Sequence, residues 1–257
     1  MDTRAFDPAM IVAVIPDLLR FLDVTLLVAI TSIVLGSLGG IALAWMKLSK
    51  KRVLFAIAEA YIYIMRCTPS IVLLFIVFYG LPELLFSFFG FNANTVHRAV
   101  FAILTFTLLF SAYISEVFRA AYLAVPKGQY EAAVSIGLSP WQAVFRVVLP
   151  QAAVIALPNF GNATINLMKE GALAYTIGLI DLIGQGSLII AQNFGAYGIE
   201  TYTACMLIYW ILTLLIEQAF ALLERRLDKG QSFAVRDAAK RPGFLPNWMK
   251  GGEAHGA

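Results

Sequence analysis

Five stretches of this chain, roughly residues 21–46, 53–81, 99–122, 147–168 and 202–223, are apolar and membrane-length. A helix rises about 1.5 Å per residue, so about 20 residues cross a hydrocarbon core of about 30 Å. Backbone in lipid has no water to bond, so each such segment must close its own hydrogen bonds, which a helix does. The reading is an all-α membrane protein of about five transmembrane helices. Composition agrees: 60% of the 257 residues are hydrophobic and 14% charged, where a soluble domain carries about a quarter charged. Cys67 and Cys205 each lie inside an apolar run, which argues against a disulfide framework. His97 and His255 have no Cys or carboxylate at ligand spacing, so no metal site is expected. The opening "MDTRAFDPAM" lacks a basic start, and the first apolar run exceeds a signal core, so it reads as a retained span.

Segment 172–192 tempts a sixth span, but Asp181 with Gly178, Gly184 and Gly186 predicts a broken or re-entrant element. Charge favours five spans. With the N-terminus outside, Lys47, Lys50, Lys51 and Arg52, then Arg119, Lys127 and Arg146, then the basic C-terminal tail all fall on the cytoplasmic side. Arg4, Arg20, Arg98 and Lys169 fall outside, and Arg66 lies within a span. The expected organisation is an extracytoplasmic segment over 1–20, a transmembrane domain over 21–226 and a cytoplasmic tail over 227–257. In the first span Ser32, Gly36 and Gly40 recur at steps of four, either a stripe for close helix approach or ordinary membrane-helix filler.

Between the third and fourth spans lies "YEAAVSIGLSPWQAVFRVVLPQA". Pro126 and Gly128 precede a short helix with Glu131 in its first turn, favourable at the positive end of the dipole. Gly137 is placed to stop that helix in a left-handed conformation. Ser139, Pro140 and Gln142 spell a capping box for a second helix, and Leu149-Pro150 opens the next span. The pattern is a helix-turn-helix elbow, placed in the cytoplasm by the charge count.

The spacing Glu131-Ala132-Ala133, three residues, Gly137, nine residues, Val147, one residue, Leu149-Pro150 resembles the EAA loop of ABC-importer permeases. The resemblance extends from about residue 20 to residue 226. "YIYIMRCTPSIVLLFIVFYGLP" is similar to the segment that polar amino-acid permeases write around Arg-Gly-Thr-Pro. "AYISEVFRAAYLAVPKGQYEAA" resembles their third span, and "LPNFGNATINLMKEGALAYTIGLIDLIG" the stretch after their fourth.

The resemblance implies a type I ABC importer transmembrane domain in a bacterial inner membrane, multi-pass, with its N-terminus outside and C-terminus cytoplasmic. Its implied partners are ABC ATPase subunits, a second permease (the same chain or a homologue), an extracytoplasmic solute-binding protein and an amino-acid substrate, with no nucleic acid among them. The elbow would be the coupling helix: Glu131 contacts the ATPase, Ala132 and Ala133 fit against its surface, and Gly137 supplies the turn. The chain has no phosphate-binding loop. ATP and Mg would therefore belong to the partner ATPase, and this chain would be a transport subunit rather than an enzyme.

Charges within spans are costly and default to functional candidates: Arg66, Glu116, and Lys169 with Glu170. Arg66 stands 14 residues past Arg52, about 21 Å deep at 1.5 Å per residue. Thr68 and Pro69 follow, and Pro69 should bend the helix and free carbonyl groups. The guanidinium either partners the carboxylate of an amino acid or satisfies carbonyls and a neighbouring helix. Glu116 and Arg119 share a face and suit an intrahelical pair, while Lys169 and Glu170 are expected at the outer membrane face. Cys67 replaces the family's usual glycine, Leu73 its common glutamine, and Glu170-Gly171-Ala172 its acid-Thr-Ser. These departures put a polar pathway in question and leave recognition open to a partner permease or the binding protein. The segment 173–210 most resembles permeases for cystine and related sulfur amino acids; the alternatives are another amino acid or small polar solute, or a partner subunit without its own pocket.

Overall fold

The computed structural model describes residues 6–227, so the expected tail lies outside the described residues apart from Leu227. Among the described residues nine helices account for most of the sequence, with a short 3-10 turn at Ala93–Thr95 besides: α1 (Pro8–Leu19), α2 (Leu22–Leu48), α3 (Arg52–Cys67), α4 (Ser70–Phe89), α5 (Arg98–Ala124), α6 (Lys127–Ser135), α7 (Pro140–Ile177), α8 (Leu182–Gln192) and α9 (Gly198–Leu227). Five of them, α2, α4, α5, α7 and α9, are long and apolar enough to cross a membrane.

The expected second span is two helices. Thr68 and Pro69 are extended, at ψ 125° and 136°, and split 53–81 into α3 and the membrane-length α4. Pro69 therefore caps a new helix instead of bending a continuous one; the residue before a proline is pushed out of the helical region, which is why the break falls at Thr68. The fourth span also differs. Helix α7 runs unbroken from Pro140, through Leu149-Pro150, to two tightened turns at Ala172–Ile177. A π-helical turn, Val144–Val148, immediately precedes Leu149-Pro150, and another, Ile76–Gly80, immediately precedes Leu81-Pro82. A proline inside a helix lacks an N–H and crowds the carbonyl four residues back; a widened turn relieves both.

The tightest packing is α2 against α5, along the small-residue stripe. Ser32 is fully buried and its hydroxyl donates to the Ile103 carbonyl at 3.3 Å. A Cβ on Gly36 would come within 2.9 Å of the Phe110 ring. The stripe is thus a packing surface and not filler. Around it Leu74, Phe106 and Ile114, with 0%, 1% and 0% exposure, form the centre of the core.

Segment 172–192 is broken, as its glycines predict: Gly178 is left-handed at φ 77°, and Asp181 caps the short α8 through Gly184 N–H at 2.8 Å. Arg98 Nη1 donates to the Gly178 carbonyl at 2.6 Å, fixing this turn to the start of α5. Most of the expected N-terminal segment is helical. Val14 and Leu18 of α1 pack with Leu182 and Ile189 of α8 and Ala204, Cys205 and Ile208 of α9 in a second core.

Candidate functional site

Two features stand out on this frame, a cavity level with the middle of α5 and the elbow beyond its end. The cavity has a volume of about 540 Å³. The break between α3 and α4 supplies Arg66, Thr68, Pro69 and Ser70 to it. Helix α5 contributes Leu109, Phe110 and Tyr113, and α7 contributes Asn166, Lys169 and Glu170.

Arg66, Thr68, Pro69, Lys169 and Glu170 therefore come together in one site. Lys169 and Glu170 line the same cavity as Arg66. Helix α7 continues past them to Ile177. Ser70 and Glu170 line the cavity together, across the break from Arg66. Arg66 joins no ion pair among the described residues and is exposed to the cavity. The site thus offers a free guanidinium and a carboxylate on opposing elements, beside an apolar wall from α5. That arrangement is suited to a small zwitterion, whose carboxylate and ammonium each find a charged hydrogen-bond partner. Ser70 and Asn166 were not anticipated; only the fold brings these ordinary polar side chains beside the charged ones.

Glu116 does not join this cavity. It accepts from Arg119 Nη2 at 2.7 Å and Nε at 3.0 Å, the expected intrahelical pair, and also from Lys47 Nζ of α2 at 2.5 Å. Lys47 in turn pairs with Glu59 of α3 at 2.5 Å. This hub joins three helices near the elbow end of the bundle. Pairing consumes the Glu116 charge, so Glu116 is a bracing residue and not a cavity-lining one.

In the elbow, Gly137 sits at φ 96°, and Ser139 and Gln142 form the reciprocal capping box with bonds of 3.3 Å and 3.0 Å. Two expectations change. Helix α6 begins at Lys127, so Glu131 lies in its second turn. Ala133 is only 4% exposed, folded against the chain. Glu131 and Ala132 remain exposed. In the same elbow Ile136, Trp141 and Phe145 are 81%, 71% and 58% exposed, and the two rings stack at 5.5 Å. These exposed apolar side chains were not anticipated: they lie on both sides of the turn, where no single helical period shows them.

The family model described as "Binding-protein-dependent transport system inner membrane component" matches residues 24–229. The chain is 38% identical over 232 residues to the L-cystine transport system permease protein TcyL of Bacillus subtilis (strain 168), covering 90% of this chain and 96% of that one. It is 36% identical to the probable amino-acid permease protein YxeN of the same organism, covering 88% and 98%. Among solved structures, "Crystal structure of an amino acid ABC transporter with histidines" superposes with a TM-score of 0.75 at 31% identity, over 87% of this chain and all of that one. With the five apolar helices, the match establishes a multi-pass inner-membrane protein. The chain belongs to the binding-protein-dependent transport system inner membrane components, the permease subunits of ABC importers.

Proposed function

We propose that this permease carries a polar amino acid through the Arg66–Glu170 cavity, with cystine or a related sulfur amino acid as the substrate. The observation that carries the reading is the pairing of a free guanidinium with a carboxylate across one cavity. An α-amino acid presents both complementary charges on one carbon, so a single ligand answers both groups. The apolar wall of Leu109, Phe110 and Tyr113 suits an uncharged, polarisable side chain. Relatives of this chain, an L-cystine permease and a probable amino-acid permease, support the same class.

The rest of the cycle is built by partners. A solute-binding protein delivers the substrate outside, a second permease, either this chain or a homologue, completes the pathway, and ATPase subunits hold ATP and Mg. The elbow, with Glu131, Ala132 and the Trp141–Phe145 stack outward, docks on the ATPase. Positive charge concentrates at the elbow end, in Lys47, Lys50, Lys51, Arg52, Lys127 and Arg146, which favours a cytoplasmic elbow and an outside N-terminus.

The test is ATP hydrolysis by the complex, reconstituted in lipid with its ATPase and binding protein, over a panel of amino acids that includes cystine. Stimulation by cystine alone or with its sulfur relatives supports the full reading. Stimulation by another amino acid retains the cavity reading and removes the substrate. A flat response from an assembled complex removes both.

A further inference from the structure

The cavity wall that carries Arg66 and Thr68 is a lightly buried helix. Helix α3 buries only Ala58 and Ile62. It is extended at both ends, at Ser49 and Lys51 before it and at Thr68 and Pro69 after it. A helix flanked by non-helical residues and poorly buried can shift as a rigid rod, its ends absorbing the change.

Two polar ties hold it sideways. Tyr61 OH donates to the Leu108 carbonyl at 3.0 Å and lies 2.9 Å from Ser111 Oγ, both on α5. Lys47 Nζ pairs with Glu59 at 2.5 Å and stands 5.7 Å from the centre of the Phe55 ring. The Lys47 side chain is 8% exposed, and its second carboxylate, Glu116, is clamped by Arg119. The lysine is thus fixed to α5, and its bond to Glu59, which is 52% exposed, is the weaker arm. Glu116 and Arg119 occupy the last turns of α5, immediately before the elbow. Glu59 is seven residues from Arg66, about two turns along α3.

Resting on the cavity reading above, we infer that Lys47 is a positioning residue of the transport pathway: through Glu59 it sets the stance of α3, and so of Arg66 opposite Glu170, and ties that stance to the elbow end of α5. Movement of the elbow reaches the cavity through this ion-pair hub and the Tyr61 bond. The hub is a two-armed device, with a firm arm on α5 and a yielding arm on α3.

The experiment uses the full complex in lipid nanodiscs and proteoliposomes with Glu59→Gln, Tyr61→Phe and the double variant; none of these leaves a charge buried alone. Hydrogen exchange is read in peptides of α3 and α5, together with the number of substrate molecules imported per ATP hydrolysed. Glu59→Gln should speed exchange across 52–67 about five-fold and leave 98–124 unchanged, while lowering import per ATP about three-fold; the double variant should fall further. Lys47→Arg, which keeps both pairs, should retain the ratio. Unchanged exchange in α3 for the double variant overturns the inference. So does faster exchange throughout α2 and α5, which marks a merely structural hub, and so does a looser α3 with an unaltered import ratio. If Arg66 and Glu170 prove dispensable, the cavity reading fails by itself, and the exchange result still decides whether Lys47 holds α3.

Discussion

Gly40 of α2 lies so close to Ile114 of α5 that a Cβ on the glycine would overlap the isoleucine Cγ2, with the Ser111 carbonyl 3.3 Å away. The α2–α5 contact is therefore backbone against side chain, and it supports both the cavity wall and the Lys47 hub. Gly40→Val should lower the midpoint of thermal unfolding in detergent and reduce assembly, at a cost of about 2–3 kcal/mol from overpacking. Gly128→Ala, where a Cβ meets nothing within 4 Å, is the control and should leave the midpoint unchanged.

Arg66 and Glu170 should be separable from folding, because both are exposed to the cavity rather than packed. Arg66→Met and Glu170→Gln should each lower substrate uptake about ten- to a hundred-fold, the scale of losing one charged hydrogen bond. The complex should still assemble. Size-exclusion chromatography with uptake into proteoliposomes checks both halves; full uptake by either variant would remove that residue from the pathway.

At the elbow, charge and apolar surface should act differently. Glu131→Arg should leave the chain folded, since the carboxylate is exposed, but uncouple ATP hydrolysis from the loaded binding protein. Trp141→Ala with Phe145→Ala should instead weaken ATPase retention on purification about ten-fold or more, as removal of buried aromatic anchors does at interfaces. Normal stimulation by the Glu131 variant would contradict the docking role.

Spans, caps and elbow were legible because each rests on local rules: apolar length, a left-handed glycine, a Ser–Gln capping box. The break at Thr68–Pro69 was half legible. A proline signals disturbance, but whether a helix bends or stops depends on what the freed backbone meets. Local pattern also hid Ser70 beside Glu170, and Lys47 between Glu59 and Glu116, since those partners lie 100, 12 and 69 residues apart. The Lys47 charge, counted only toward topology, proved to be a tertiary bond.

Asp181 gives the chain a pH dependence of definite sign. It sits in the turn between α7 and α8, 2% exposed, with one oxygen bonded to Gly184 N–H. Burial pushes its carboxyl from an ordinary 3.8 up to about 6, against the backbone bonds that favour the anion. The folded state thus prefers the neutral acid. That contribution is complete below about pH 4, is lost as the pH rises through about 6, and is flat above; a shift of about two units corresponds to about 3 kcal/mol. Asp181→Asn keeps a cap acceptor but does not titrate. The difference in unfolding midpoint, wild type minus variant, should therefore fall between pH 4 and 6 and level off by pH 7. A difference that instead rises with pH would mean the carboxylate is stabilised in the fold, and that an unpaired anion is tolerated at the start of α8.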